Sequence, residues 1–106
     1  MAGEFVRVAS VASVSDGAML PVMVGKDQVL LTNVGGRFFA IGAICSHEWA
    51  YLGEGWLKPE LLQLECPLHG GQFSLTTGEA TALPADESVP VYEVKVEGDD
   101  IFVAEA

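Results

Sequence analysis

The chain has 106 residues, half of them hydrophobic, with 15 acidic against 5 basic side chains and a formal net charge of −10. That length suits one domain with its own packed core. Two cysteines are too few to staple a disulfide scaffold, and the negative charge is the wrong sign for the basic footprint that nucleic acid requires.

In chain order, Phe5-Val6-Arg7-Val8 alternates with period 2 and predicts a half-buried strand. Ser10 to Ser15 has room for a single helical turn. Ala18 to Val24 is apolar but contains Pro21, which suits an edge or bulged strand because proline cannot donate to a ladder. Gln28 to Val34 and Arg37 to Ile44 flank Gly35-Gly36 and predict a two-residue hairpin. Leu61 to Leu64 is a further short apolar segment, and Pro84 to Pro90 reads as a surface crossing between strands. Val91 to Val96 alternates as one strand, and Gly98-Asp99-Asp100 turns it into Ile101 to Ala104 as another hairpin. No stretch of about ten residues shows capped helical periodicity, and there is no internal repeat. The expected class is all-β, a sandwich or small barrel.

The opening MAGEFVRVAS lacks both a basic region and an apolar stretch of signal-peptide length, and no apolar run approaches the roughly 20 residues of a membrane helix. A reducing cytoplasm is therefore expected, with no membrane partner. There, paired cysteines are metal ligands or redox groups more often than bridges. Both cysteines and both histidines fall in two clusters, Cys45-Ser46-His47 and Cys66-Pro67-Leu68-His69, separated by residues 48–65. Each supplies one thiolate and one imidazole from a loop that follows a strand. Zinc accepts such a set, but usually pairs cysteine with cysteine and histidine with histidine at spacings of about two to five residues. A two-iron, two-sulfide cluster fits the mixed pairs if each loop gives one ligand to each iron.

Extended by Gly70-Gly71-Gln72-Phe73, the second cluster completes a pattern that resembles the Rieske iron–sulfur signature, C-x-H followed by C-P-x-H-G-x-x-F. The likeness continues through Thr77-Gly78, Leu83-Pro84-Ala85 and Val91 to Asp99, most of the chain. The resemblance implies a single domain over residues 1–106. Its fold would be a Rieske-type antiparallel β-sandwich, with a small cluster-binding subdomain of about 45–78 inserted in a base formed by 1–44 and 79–106. It implies one [2Fe–2S] cluster, with Cys45 and Cys66 on the buried iron. His47 and His69 would hold the iron near the surface and serve as the electron port. Gly70 and Gly71, lacking Cβ atoms, would let backbone approach the inorganic sulfides and donate N–H groups to them.

Departures from the signature sharpen the expectation. Respiratory Rieske proteins carry an extra cysteine in each loop, where this chain has Ala50 and Leu68, so their disulfide is absent. They also aim a serine and a tyrosine hydroxyl at the cluster sulfurs, where Gly71 and Phe73 stand here. Fewer donors favour the oxidised state, which implies a potential in the lower part of the Rieske range of roughly −150 to +300 mV. The ligated imidazoles can lose their outer protons, so the potential should fall at high pH.

This pattern resembles the Rieske-type ferredoxins of bacterial aromatic-ring-hydroxylating dioxygenases. That implies a one-electron carrier with two transient partners: a flavin-dependent NAD(P)H reductase and a terminal oxygenase. No small-molecule substrate and no catalytic residue are expected. With neither a Gly-rich nucleotide fingerprint nor a facial triad for mononuclear iron, the carrier role is the one left. The alternatives are a small Rieske-like subunit of a reductase such as assimilatory nitrite reductase, or a zinc-binding module. Trp49, Tyr51, Leu52 and Trp56 crowd the first loop and its exit; Leu52 and Trp56 are expected to pack the small subdomain, with Trp49 left open between packing and docking. Of the acidic residues, Glu48 and Glu54 lie nearest the loops and are the candidates for steering a basic partner.

Overall fold

The computed structural model describes residues 4–43, 52–67, 71–82 and 88–104. The strands there run β1 (Phe5–Ser10), β2 (Met19–Val24), β3 (Asp27–Val34), β4 (Arg37–Gly42), β5 (Trp56–Lys58), β6 (Gln63–Glu65), β7 (Gln72–Ser74), β8 (Ala80–Ala82), β9 (Val91–Tyr92), β10 (Val94–Glu97) and β11 (Asp100–Ala104). They form three antiparallel sheets, ordered β1-β11-β10, β2-β3-β4-β9 and β5-β6-β7-β8. The all-β expectation holds.

The middle sheet is the spine, and β3 shows why. Val29, Leu30 and Leu31 are consecutive and all fully buried, which a half-solvated strand would not tolerate. Val29 and Leu31, with Ala40 of β4, pack against Ala9, Val14, Val24, Ile101 and Val103 on the side of the first sheet. Leu30 and Ile41 face the other way and pack with Leu52, Leu64, Cys66, Phe73 and Leu75. Thr32 and Asn33 are the polar residues buried on this strand, and the hydrogen bonds of Asn33 justify its burial. Its Nδ2 donates to the Val14 carbonyl at 2.8 Å, and its Oδ1 accepts from the Gly36 N–H at 2.9 Å.

Local signals placed several elements well. The single helical turn falls at Val11–Ser13, and β2 with Pro21 is an edge strand. Val34 pairs with Arg37 across Gly35-Gly36, whose positive φ values of 61° and 91° suit a two-residue hairpin.

Three readings need correction. The segment Leu61 to Leu64 is divided: a 3-10 turn covers Pro59–Leu61, Leu62 is left-handed at φ 50°, and β6 starts at Gln63. Val91 to Val96 is two strands in two sheets. Tyr92 pairs with Ala40 and Val94 with Val103, while between them the Glu93 carbonyl accepts the Ala104 N–H at 3.0 Å. The described end of the supposed surface crossing is tied in. Val89 is only 5% exposed and donates to the Gly78 carbonyl at 2.9 Å, and the Pro90 carbonyl accepts from Gly42 at 2.8 Å.

The third sheet positions the site. Its inner face carries Leu57, Leu64 and Phe73 in register, and Leu64 and Phe73 are fully buried. Its outer face carries Trp56 opposite Glu65 and Lys58 opposite Gln63, in register with Gln72 and Ser74 of β7.

Candidate metal centre

The two Cys/His motifs follow β4 and β6 in the chain, and the structure describes the residues that flank each. Cys45, His47, His69 and Gly70 lie outside the described residues, as do Trp49, Tyr51, Glu48, Ala50 and Leu68. At the first foot, the Leu52 N–H donates to the Ala43 carbonyl at 2.8 Å, closing the chain across residues 44–51. At the second, the Cys66 N–H donates to the Gly71 carbonyl at 2.6 Å, closing the connection between β6 and β7. In the sequence the two motifs are separated by residues 48–65; the fold brings the feet beside them together.

Ala43, Leu52 and Cys66 belong to one buried cluster with Leu64, Phe73 and Leu75. Cys66 is 1% exposed and Gly71 is buried. A second contact locks the loops. A Cβ at Gly55 would overlap the Glu65 carbonyl oxygen, so the exit of the first loop is pressed against the residue preceding Cys66. The Gly55 N–H donates to the Leu52 carbonyl at 3.0 Å and holds that turn.

These surroundings fit an iron–sulfur cluster. A thiol side chain held in an apolar shell keeps water from its sulfur, and the low local dielectric strengthens every bond made there. Gly71 brings backbone without a side chain to the foot of the second loop. Phe73 faces inward, fully buried, with no hydroxyl to offer. A bound [2Fe–2S] cluster supplies reversible one-electron storage. The protein's part is to hold Cys66 and the loop feet rigid and dry.

Leu52 packs as expected. Trp56 does not: it is 57% exposed, because the alternation of β5 sends Leu57 inward and Trp56 out. Sequence reasoning also missed Glu65, whose Oε1 receives Lys58 Nζ at 3.0 Å and Gln72 Nε2 at 3.3 Å. Only the strand register brings these three together. Farther off, Tyr92 donates to Asp27 Oδ2 at 3.3 Å; burial first, then the Asp27 charge and this bond, raise the phenol's pKa.

Comparison with known proteins agrees with this geometry. The profile of the Rieske [2Fe–2S] domain matches residues 4–93. The ferredoxin component of biphenyl 2,3-dioxygenase from Rhodococcus jostii (strain RHA1) is 42% identical over 98 residues, covering 92% of this chain and 89% of that one. The ferredoxin of carbazole 1,9a-dioxygenase from Nocardioides aromaticivorans IC177 superposes with a TM-score of 0.92 at 40% identity, covering 95% and 97% of the two chains. A ferredoxin solved in complex with the oxygenase of carbazole 1,9a-dioxygenase aligns with a TM-score of 0.86 at 32% identity, covering 94% and 92%. Nitrite reductase small subunits share the fold at 21% and 15% identity, which speaks for the fold alone. Among the described residues no helix is long and apolar enough to cross a membrane. The chain therefore belongs to the Rieske [2Fe–2S] domain family, takes that family's cluster as its cofactor, and has as its relatives ferredoxins that carry electrons rather than catalyse.

Proposed function

We propose that this protein accepts single electrons from a flavin-dependent NAD(P)H reductase and delivers them to the terminal oxygenase of an aromatic-ring-hydroxylating dioxygenase, within the cytoplasm. In this reading Cys45 and Cys66 hold the inner iron, His47 and His69 hold the outer iron, and Gly70 and Gly71 bring backbone N–H groups to the sulfides. The cluster-binding part spans about 45–78 within one domain, 1–106. The supporting observation is the shared buried cluster under both loop feet, with Cys66 in its wall. The sheet β5-β6-β7-β8 draws three strands from that span, and its fourth, β8, follows at Ala80–Ala82. The printed names of the relatives supply the dioxygenase setting, and one neighbour was solved with its oxygenase.

The test is reconstitution. The holoprotein is combined with a flavin-dependent reductase, a panel of ring-hydroxylating oxygenases and a nicotinamide, and substrate hydroxylation is followed. Turnover that requires this protein and is lost in Cys66→Ser is the expected result. Turnover that is unchanged when the protein is omitted, for every oxygenase tried, would contradict the role.

A further inference from the structure

We infer that Trp56 and Glu65 form a receiving site for an arginine side chain of the terminal oxygenase, beside the cluster loop. The inference rests on the electron-carrier reading above and names a contact through which it operates.

Three observations on the outer face of the third sheet lead to it. First, across β5, β6 and β7 that face carries one apolar side chain among polar ones. Lys58, Gln63, Glu65, Gln72 and Ser74 line it, and Trp56 stands among them 57% exposed. An exposed indole on a polar sheet face offers an amphipathic ring whose π-face a cation can cover. Second, Trp56 sits at the loop end of the sheet. It pairs with Glu65, the residue before Cys66, so the indole and the carboxylate share a face with their Cβ atoms about 5 Å apart. Third, the carboxylate is already oriented. Lys58 Nζ and Gln72 Nε2 both donate to Oε1, at 3.0 and 3.3 Å, so among the described residues the bonds that fix this carboxylate fall on one of its two oxygens.

An indole face next to a fixed carboxylate oxygen is complementary to a guanidinium. The planar cation stacks on the ring while its N–H groups donate to the carboxylate, and arginine does this better than lysine. The molecule's charge of −10 selects the same sign of partner. Tryptophan and arginine are also the residues that most often dominate small interfaces. The site adjoins Cys66, so a partner held there lies against the second loop, and a related ferredoxin was solved in complex with its oxygenase.

The experiment measures KM for the holo-ferredoxin with reductase and terminal oxygenase held constant, using an oxygenase that the wild-type protein supports. Wild type, Trp56→Phe, Trp56→Leu and Glu65→Gln are compared, each first shown to retain the wild-type visible spectrum and midpoint potential. Trp56→Leu is expected to raise KM toward the oxygenase about tenfold. Trp56→Phe, which keeps a weaker ring, should raise it less, and Glu65→Gln should raise it several-fold and flatten its salt dependence. Reduction by the reductase should be unchanged in all three. A wild-type KM for Trp56→Leu overturns the proposal, and so does an equal loss toward the reductase. If the wild-type protein supports no oxygenase at all, the carrier reading fails, and this contact with it.

Discussion

At Gly78 the backbone has φ +76°, and a Cβ there would overlap the Val89 carbonyl oxygen; at Gly35, with φ +61°, nothing lies within 4 Å of one. The left-handed conformation alone penalises alanine by roughly 1–2 kcal/mol. Gly35→Ala should therefore lose about that much stability, and Gly78→Ala distinctly more, in parallel urea denaturations. Equal losses would show that the contact with Val89 is unimportant. Tyr92 gives a second test at this scale. Its pKa is raised above the ordinary 10.0, so the folded state keeps the proton longer than the unfolded chain does. The associated stability is full below about pH 10 and is lost as pH rises through the folded value. Tyr92→Phe should flatten that alkaline decline, followed by unfolding midpoints against pH. Phe73 and Gly71 argue for a low potential, because neither brings a hydroxyl to the cluster. Voltammetry should place it in the lower part of the roughly −150 to +300 mV Rieske range; a value near the top would refute that reasoning.

At the scale of elements, the two loop feet stand on shared packing. Leu52 closes the first loop and packs with Leu64, Cys66 and Phe73 around the second. Leu52→Ala should destabilise the fold by about 2–5 kcal/mol and accelerate loss of cluster colour on warming. Stability lost with unchanged cluster retention would uncouple the two. This is also where reading the sequence succeeded and failed. Pro21 marked an edge strand and Gly35-Gly36 a hairpin because each acts through its own backbone. Trp56–Lys58, Gln72–Ser74 and Ala80–Ala82 went unseen, since three residues are too few to display a period and gain their strand character from neighbours in the sheet. The division at Glu93 was invisible for a different reason. The alternation from Val91 to Val96 is unbroken, and only the change of partner from β4 to β11 reveals it. The ligand motifs were legible as chemistry. That their feet share one core was not, because it depends on Leu30 and Ile41 presenting a common surface to both. The exposure of Trp56 was missed with β5 itself.

For the whole molecule, the net charge of −10 bears on encounter more than on fold. Among the described residues, carboxylates engage Arg7 through Asp100, Lys58 through Glu65 and Lys95 through Glu97. Much of the acidity therefore remains to attract a basic partner. Rates of electron transfer to or from such a partner should fall as ionic strength rises, and Glu48→Lys or Glu54→Lys should weaken that dependence. An unchanged salt profile in both would remove those two residues from the steering surface.

The central claim is that this fold holds a Rieske cluster, and the most direct measurement is the EPR spectrum of the dithionite-reduced protein. The expected result is a reddish-brown protein with two irons per chain. It should bleach on reduction and give a single rhombic spin-half signal, with nitrogen couplings from two imidazoles. A colourless, EPR-silent protein holding one zinc per chain would contradict it.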